Sequence, residues 1–570
     1  MAKQTKIFLL SIVVAGLLLR LFSLNYALPI RFYGDEYVHL ANALKMLEAK
    51  TAFLDFSYLP NLFAYLLIPL ITLYGFLGAI FGYFEGLAGF REYVILNSEN
   101  LLILSRLISV FFGGLTVYFI FKITKEFFNE RAGLLAALIL AILPLHLIQS
   151  QSGQFWNPLT FFILAAFYFL FKLFQTGERR WYFWSALFIA LGFGTGIYSL
   201  IVLPWFFLAH FLFVRKNQRP FWSKDFIFSS LLFLAVVAFF AFSNSYATIR
   251  QLGRGLGTVL DAVGLSLPLS EIAAAHQNNN FFAVLKNIAV VLWFNFYHLL
   301  PLIFWGWWEL VRKKEWWRNF SNYILFLFPL AYILVSAMVF NKTPDRYVLP
   351  VMPFLVIVLA YALDRIFYHF PLKPFFKTVL LVVVLAPQIY FTLSYSEKLL
   401  KTNTYLLAKN WLEKNVPAAG RLVLDNSERL YLTASQESLK LQLEHRPAAL
   451  DTRDRYLLTL TGENYPQPSY FIYRLGDLKL NEIKTEDFRA DYYLITFYNT
   501  VPANLSVDAE RDRLLASYEK KLVQKFYPTK KEFLDAPITP VWDDLENSFQ
   551  TLWFSERLGP RIELYQLIKK

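Results

Sequence analysis

The chain has 570 residues, of which 56% are hydrophobic, 19% aromatic and only 17% charged, at a mean hydropathy of +0.41. Soluble globular chains carry about 25% charged residues, so an ordinary soluble protein is excluded, and several apolar runs reach the roughly 20 residues that cross a bilayer. There is no cysteine, which excludes disulfides and thiol chemistry, and the net charge of +13 sits in short loops between apolar runs, where it orients a membrane protein and argues against a nucleic-acid partner.

Lys3 and Lys6 precede an apolar run over 7–19, the outline of a secretory signal. Arg20 interrupts it, and no small-x-small cleavage site precedes Pro29, so the segment is expected to persist as the first of the spans. Spans are predicted at 7–28, 101–122, 131–149, 158–175, 181–196, 197–214, 225–246, 285–310, 320–340, 347–364 and 376–395. Lys3 and Lys6 put the N-terminus inside. Lys122, Lys125 and Arg131, then Arg179 and Arg180, then Arg215, Lys216 and Arg219, then Arg312, Lys313 and Lys314, and finally Lys373 and Lys377 mark inner loops. Eleven spans close this alternation. Residues 61–84 are also long enough to cross, yet counting them inverts every later loop. A re-entrant or surface-lying segment is therefore predicted there, with Pro60, Pro69, Gly75, Gly78 and Gly82 suiting a broken helix; an ordinary span with a missed partner is the alternative.

The same count divides the chain into a membrane domain, 1–395, and an outer domain, 396–570. The outer loops of the first are 29–100, 149–158, 247–284 and 341–346. In the second, charges become frequent and apolar runs shorten. Thr404–Asn415 reads as a helix ended by Pro417, and Arg421–Asp425, 490–497 and 561–567 read as strands of a small α/β domain. The expected fold is an α-helical polytopic membrane protein with a C-terminal extracytoplasmic α/β domain, in the cell membrane.

Outside the membrane there is no ATP, so an enzyme acting there needs a substrate that carries its own activation, as lipid-linked sugar phosphates do. The first outer loop reads Arg31-Phe-Tyr-Gly-Asp-Glu-Tyr-Val-His39. Gly34 permits a turn and Asp35 is a good cap for a helix starting at Glu36. In that helix Tyr37, Leu40, Ala41, Leu44 and Leu47 share an apolar face for the membrane interface, while Asp35, His39 and Asn42 fall together on another. A carboxylate at a helix start is often only a cap. The doubled acid, the nearby imidazole and the membrane surface favour a working role.

Arg106 lies inside the second predicted span, where a charge is costly unless paired or snorkelling. Its functional reading is a cation for a donor phosphate or a partner for the acidic pair. Lys342 and Arg346, outside and just before a span, are further cations for a phosphate at headgroup depth, ordinary headgroup contact being the alternative. Gln154 and Asn157 belong to a polar, uncharged outer turn that suits sugar hydroxyls, with Trp156 as a stacking face; a plain connecting loop is equally consistent. His276 and Asn278 to Asn280 lie in an outer loop long enough to cover a site. His39 and His276 form no recognisable metal-ligand cluster.

With those pieces placed, the chain resembles the GT-C superfamily of membrane glycosyltransferases, nearest the protein O-mannosyltransferase and aminoarabinose-transferase-like branch. The resemblance rests on Gly34-Asp35-Glu36 with His39, on Ser105-Arg106-Leu, on Pro144-Leu-His146-Leu, on Lys342 through Arg346-Tyr347-x-x-Pro350-x-x-Pro353, and on Asn410-Trp411-Leu-x-x-Asn415-Val-Pro417. It implies transfer of a sugar from a polyprenyl-phosphate carrier to a protein, glycolipid or polysaccharide acceptor on the outer face. The family's acidic motif falls on Asp35 and Glu36, with Asp35 as general base, and its arginine beside the catalytic carboxylate on Arg106. Many relatives have an acid where this chain has Asn157-Pro158, so a second carboxylate and the divalent cation it would help hold are in doubt. One base suffices for a single displacement, since a phosphate diester leaves without a proton; the leaving phosphate needs positive charge, for which Arg106, Lys342 and Arg346 are candidates. A helix N-terminus is expected to keep Asp35 ionised, ready but weakly basic. The rivals are a polytopic lipid or sugar transporter, which usually shows internal repeats and ionisable groups at the midplane, and a non-catalytic scaffold or sensor.

Overall fold

The structure, a computed structural model, describes residues 3–33, 35–54, 61–246, 248–249, 281–312, 320–339, 345–369, 373–425, 430–475, 478, 483–497, 505–534 and 552–570. The loop predicted to cover a site, with His276 and Asn278 to Asn280, and the cation Lys342 lie outside the described residues. The chain forms two compact units: Met1–Leu24, Asp35–Leu73 and Leu102–Leu393 make the first, and Asn25–Gly34, Tyr74–Leu101 and Ser394–Lys570 the second.

Without water, a segment in the membrane must satisfy its own backbone groups, and the apolar runs accordingly form helices. They are α1 (Lys3–Leu21), α2 (Glu36–Ala49), α3 (Leu62–Ile80), α4 (Gly86–Asn97), α5 (Leu102–Phe127), α6 (Glu130–Ile142), α7 (Pro144–Ser150) and α8 (Trp156–Thr176). There follow α9 (Arg179–Thr195), α10 (Leu203–Asn217), α11 (Lys224–Ser243), α12 (Phe281–Phe296), α13 (Leu300–Val311), α14 (Phe320–Val339), α15 (Met352–His369) and α16 (Pro374–Leu399). Among the described residues, nine helices are long and apolar enough to cross a membrane, or eleven if each of two bent pairs is one span. That set includes α3, which charge parity set aside. It omits α9, whose 17 residues fall just short.

Two of the predicted spans are bent pairs. At Leu143–Pro144 the axis of α6 turns by 61° into α7, because proline has no N–H for the preceding turn and starts a new helix instead. The carbonyls freed at that break need donors, and Arg20, which interrupts the first apolar run, supplies them. It donates from NH1 to Ala141 O at 3.0 Å and from NH2 to Leu140 O at 3.3 Å, while its Nε reaches Ser150 Oγ at 3.1 Å. The side chain is fully buried. The predicted span 285–310 is α12 and α13, which meet at 100°; Pro301 in the first turn of α13 excludes one continuous rod.

Residues 62–80 are one helix with Pro69 inside it, not a broken one. The start of α3 is tied to the end of α11: Asn61 Nδ2 donates to Ser243 O at 3.0 Å and Asn244 Nδ2 to Asn61 Oδ1 at 3.2 Å. From Tyr74 onward α3 belongs to the second unit, where Tyr74, Phe84, Phe90 and Tyr93 cluster. Gly75 and Gly78 leave room for the rings of Phe90 and Phe84.

In the second unit, a six-stranded sheet has the order β2-β3-β1-β4-β6-β5. Its strands are β1 (Arg421–Asp425), β2 (Thr433–Ala434), β3 (Ser469–Arg474), β4 (Tyr492–Phe497), β5 (Tyr518–Phe526) and β6 (Arg561–Lys569). β2, β3, β1 and β4 run parallel and β6 and β5 close the edge antiparallel. Central β1 is buried on both faces, as a parallel strand should be, with Val423 opposite Tyr473 and Tyr493. The predicted helix is α17 (Thr404–Asn415), capped by Asn403 Oδ1 on Leu406 N at 2.9 Å. The turn after α4 joins this unit through Glu99, which accepts from Arg31 at 2.7 Å and from Tyr431 OH at 2.5 Å.

Candidate functional site

Asp35 occupies the N-cap position of α2 but makes no cap bond with its side chain, so the plain capping role does not describe it. Its carboxylate is about one-third exposed and its Oδ2 lies 3.4 Å from Arg346 NH2. Arg346 is held by a 3-10 turn, Asp345–Val351, that leads into α15. Its long contact with Asp35 leaves two opposite charges facing each other at the edge of the first unit.

Glu36, one residue on, is in a different environment. It is fully buried and takes a forked pair of bonds from Arg106, Nε to Oε1 at 2.7 Å and NH2 to Oε2 at 3.1 Å. Gly153 N–H donates to the same Oε1 at 2.9 Å. Arg106, also fully buried, gives its remaining nitrogen to Leu24 O at 2.7 Å. A buried ion pair holds only when its hydrogen bonds are complete, and this one ties α2, α5, the end of α1 and the turn before α8 together. The guanidinium expected to meet a donor phosphate is thus engaged by Glu36 and a carbonyl.

That pairing also decides which face of α2 turns inward. Glu36, His39, Leu40, Asn42, Ala43 and Met46 are buried, while Leu47 is exposed. The face with His39 and Asn42 is thus the inward one, and the apolar face expected at the membrane interface is the less covered, with Tyr37, Ala41 and Leu44 half-buried and Leu47 exposed. His39 packs between Phe63, 4.6 Å away, and Phe155, 5.6 Å away, and neither ring nitrogen has a hydrogen-bond partner. Burial pushes the imidazole down to about 4, against a smaller opposing pull from the Asp35 carboxylate, so His39 is neutral near pH 7.

The 149–158 turn lies against this pair. Gly153 has no side chain for a physical reason: a Cβ there would stand 2.5 Å from Ser105 Cβ and 2.9 Å from Glu36 Oε1. Gln154 and Asn157 are buried, and Gln154 Oε1 and both side-chain atoms of Asn157 lack partners. Ser109 Oγ donates to Gln154 O at 3.0 Å, which fixes the turn on α5. Trp156, expected as an open stacking face, is buried in an aromatic stack with Phe155, Tyr198 and Tyr347. Gly153, Tyr198 and Phe63 escape sequence reasoning, since each matters through a partner distant in the chain.

Asp35, Glu36, Arg106, Arg346, His39 and the turn bearing Gln154 and Asn157 therefore come to one region of the first unit. Lys342 lies outside the described residues. Among the described residues no three of His, Cys, Asp and Glu are grouped to hold a metal, and of the two acids here one is closed off by Arg106.

A family model, dolichyl-phosphate-mannose-protein mannosyltransferase, matches residues 98–243. Among solved structures, the apo oligosaccharyltransferase of Archaeoglobus fulgidus is similar at 11% identity and TM-score 0.48, over 100% of this chain and 90% of that one. The same protein tethered with an acceptor peptide is matched at 14% identity and TM-score 0.42, over 72% of this chain and 57% of that one. ArnT from Cupriavidus metallidurans bound to undecaprenyl phosphate is similar at 12% identity and TM-score 0.46, over 72% and 73% of the two chains. The matched stretch 98–243 holds Arg106, Gly153, Gln154 and Asn157, and the family it matches is the one that the motifs of this sequence resemble.

Proposed function

We propose that the protein is a glycosyltransferase that moves a sugar from a polyprenyl-phosphate carrier to a hydroxyl-bearing acceptor, with Asp35 as general base. The observation that carries this reading is the division of labour within the acidic pair. Glu36 is buried, doubly bonded to Arg106 and closed to substrate, whereas Asp35 is accessible and faces a cation. The family match over 98–243 supports the donor class.

The chemistry follows from that division. The acceptor oxygen bonds to the anomeric carbon, the bond from that carbon to the phosphate oxygen breaks, and the acceptor proton passes to Asp35. The departing phosphate takes no proton but gains negative charge, which Arg346 stabilises. An arriving donor phosphate competes with Asp35 for Arg346, whose contact with that carboxylate is 3.4 Å long. Arg106 acts through Glu36, holding α2 so that Asp35 meets its substrate. In this role it positions the base, and Arg346 is the donor-side cation.

The site is placed on the outer face, with the C-terminal domain. The distribution of Lys and Arg supports this side. Mass spectrometry of lipid carried through purification, followed by transfer assays with polyprenyl-phosphate sugars, tests the function. A co-purified polyprenyl phosphate and a sugar-bearing product support it; movement of an unchanged lipid or sugar would sink it.

A further inference from the structure

At the end of α5 remote from Arg106, about 30 Å along the helix, a cavity of about 490 Å³ opens between the α5–α6 turn and the end of α15. Its construction begins with Asn129, whose Oδ1 caps α6 on Ala132 N at 2.9 Å and whose Nδ2 donates to Asp364 Oδ2 at 2.7 Å. Asp364 is buried near the end of a span, where an unneeded carboxylate is costly. Phe128 stacks on Tyr361 at 4.3 Å and forms an apolar wall.

Two cations line the same cavity, Arg131 and Arg365. Neither has an acidic partner among the described residues, and Arg365 Nε is buried without any hydrogen bond. The nearest other acid, Glu130, is taken by Lys125 at 2.7 Å and Thr5 at 2.9 Å. The cavity thus presents two available guanidinium groups, one carboxylate held by an amide, and aromatic faces. The bundle's far end coincides with a membrane interface, since α5 is long enough to cross the roughly 30 Å hydrocarbon core. Basic pockets between spans at such a level bind phospholipid head groups.

We propose that this cavity binds a zwitterionic phospholipid head group, its phosphodiester on Arg131 and Arg365 and its primary ammonium on Asp364. The guanidinium forks suit phosphate oxygens, and Asp364, bonded on one oxygen by Asn129, keeps the other for the ammonium. Such a lipid would clamp α5, α6 and α15 at the end opposite Asp35, a role separate from transfer.

The test uses the full chain, delipidated in detergent, with thermal unfolding followed as phosphatidylethanolamine, phosphatidylglycerol or inorganic phosphate is added. Phosphatidylethanolamine is expected to raise Tm at lower concentration than phosphatidylglycerol. In Arg131→Gln/Arg365→Gln the concentration for half of the shift should rise about tenfold or more, as for loss of a charge-assisted hydrogen bond. Asp364→Asn should erase the preference between the two lipids while keeping the Asn129 contact. Arg131→Gln alone, a change at an exposed residue, guards against a double variant that fails to fold and should show part of the loss. An equal shift with inorganic phosphate would identify a free-anion site and overturn the proposal, as would an unchanged shift in the arginine variants.

Discussion

At the scale of single residues, neighbours in the chain do different work because the backbone sends them in different directions. Asp35 stays at the surface, and Glu36 is drawn into the bundle by Arg106. Replacing either buried partner, as in Glu36→Ala, leaves an uncompensated charge and is expected to cost about 3–5 kcal/mol, read as a large fall in Tm together with lost transfer. Gly153→Ala meets Ser105 Cβ at 2.5 Å, an atom fixed to its own backbone. Overpacking there should cost about 1–3 kcal/mol and reduce transfer, and Ser105→Gly in the same chain should recover part of both, the 2.9 Å approach to Glu36 Oε1 remaining. His39 supplies a pH signature. Its folded-state value of about 4 lies below the usual 6.5, so the unfolded chain binds more protons between those values and stability is lost as pH falls from 6.5 toward 4. Thermal unfolding across that window should show the loss, and His39→Phe should flatten it. A transfer rate that followed a histidine titration near pH 6.5 would argue against a buried, neutral His39.

At the scale of elements, helix positions were legible because apolar length and basic flanks report them directly. What was not legible is where a helix bends. Arg20 looked like an interruption of the first apolar run, yet its function is to donate to Leu140 and Ala141 carbonyls 120 residues away, released by a proline. Arg20→Leu should therefore cost about 1–3 kcal/mol for the Ala141 carbonyl left without a donor, Leu140 O keeping its bond from Leu143 N–H, measured as a lowered Tm in detergent. The inward face of α2 carries His39 and Asn42, as their spacing suggested, and the ion pair that fastens it joins Glu36 to Arg106, 70 residues on. The native chain has no cysteine, which makes α3 easy to test. Phe53→Cys and Tyr83→Cys, exposed before and after α3, should react with an impermeant maleimide from the same side of the membrane. Reaction from opposite sides would make α3 a span.

At the scale of the whole molecule, the division into a membrane body and a terminal α/β domain follows from composition, with α17 and β1 falling where helix and strand signals placed them. The assignment of 25–34 and 74–101 to the second unit had no such signal, because it rests on Glu99 meeting Arg31 and Tyr431 across the fold. The central claim remains that Asp35 takes the acceptor's proton while Glu36 and Arg106 only hold it in place. Its most direct test is the rate of sugar transfer from polyprenyl-phosphate donors by purified Asp35→Asn, beside the unaltered chain. Loss of general-base catalysis predicts a fall of about 100-fold or more with Tm unchanged; transfer at a near-normal rate in that variant would contradict the account.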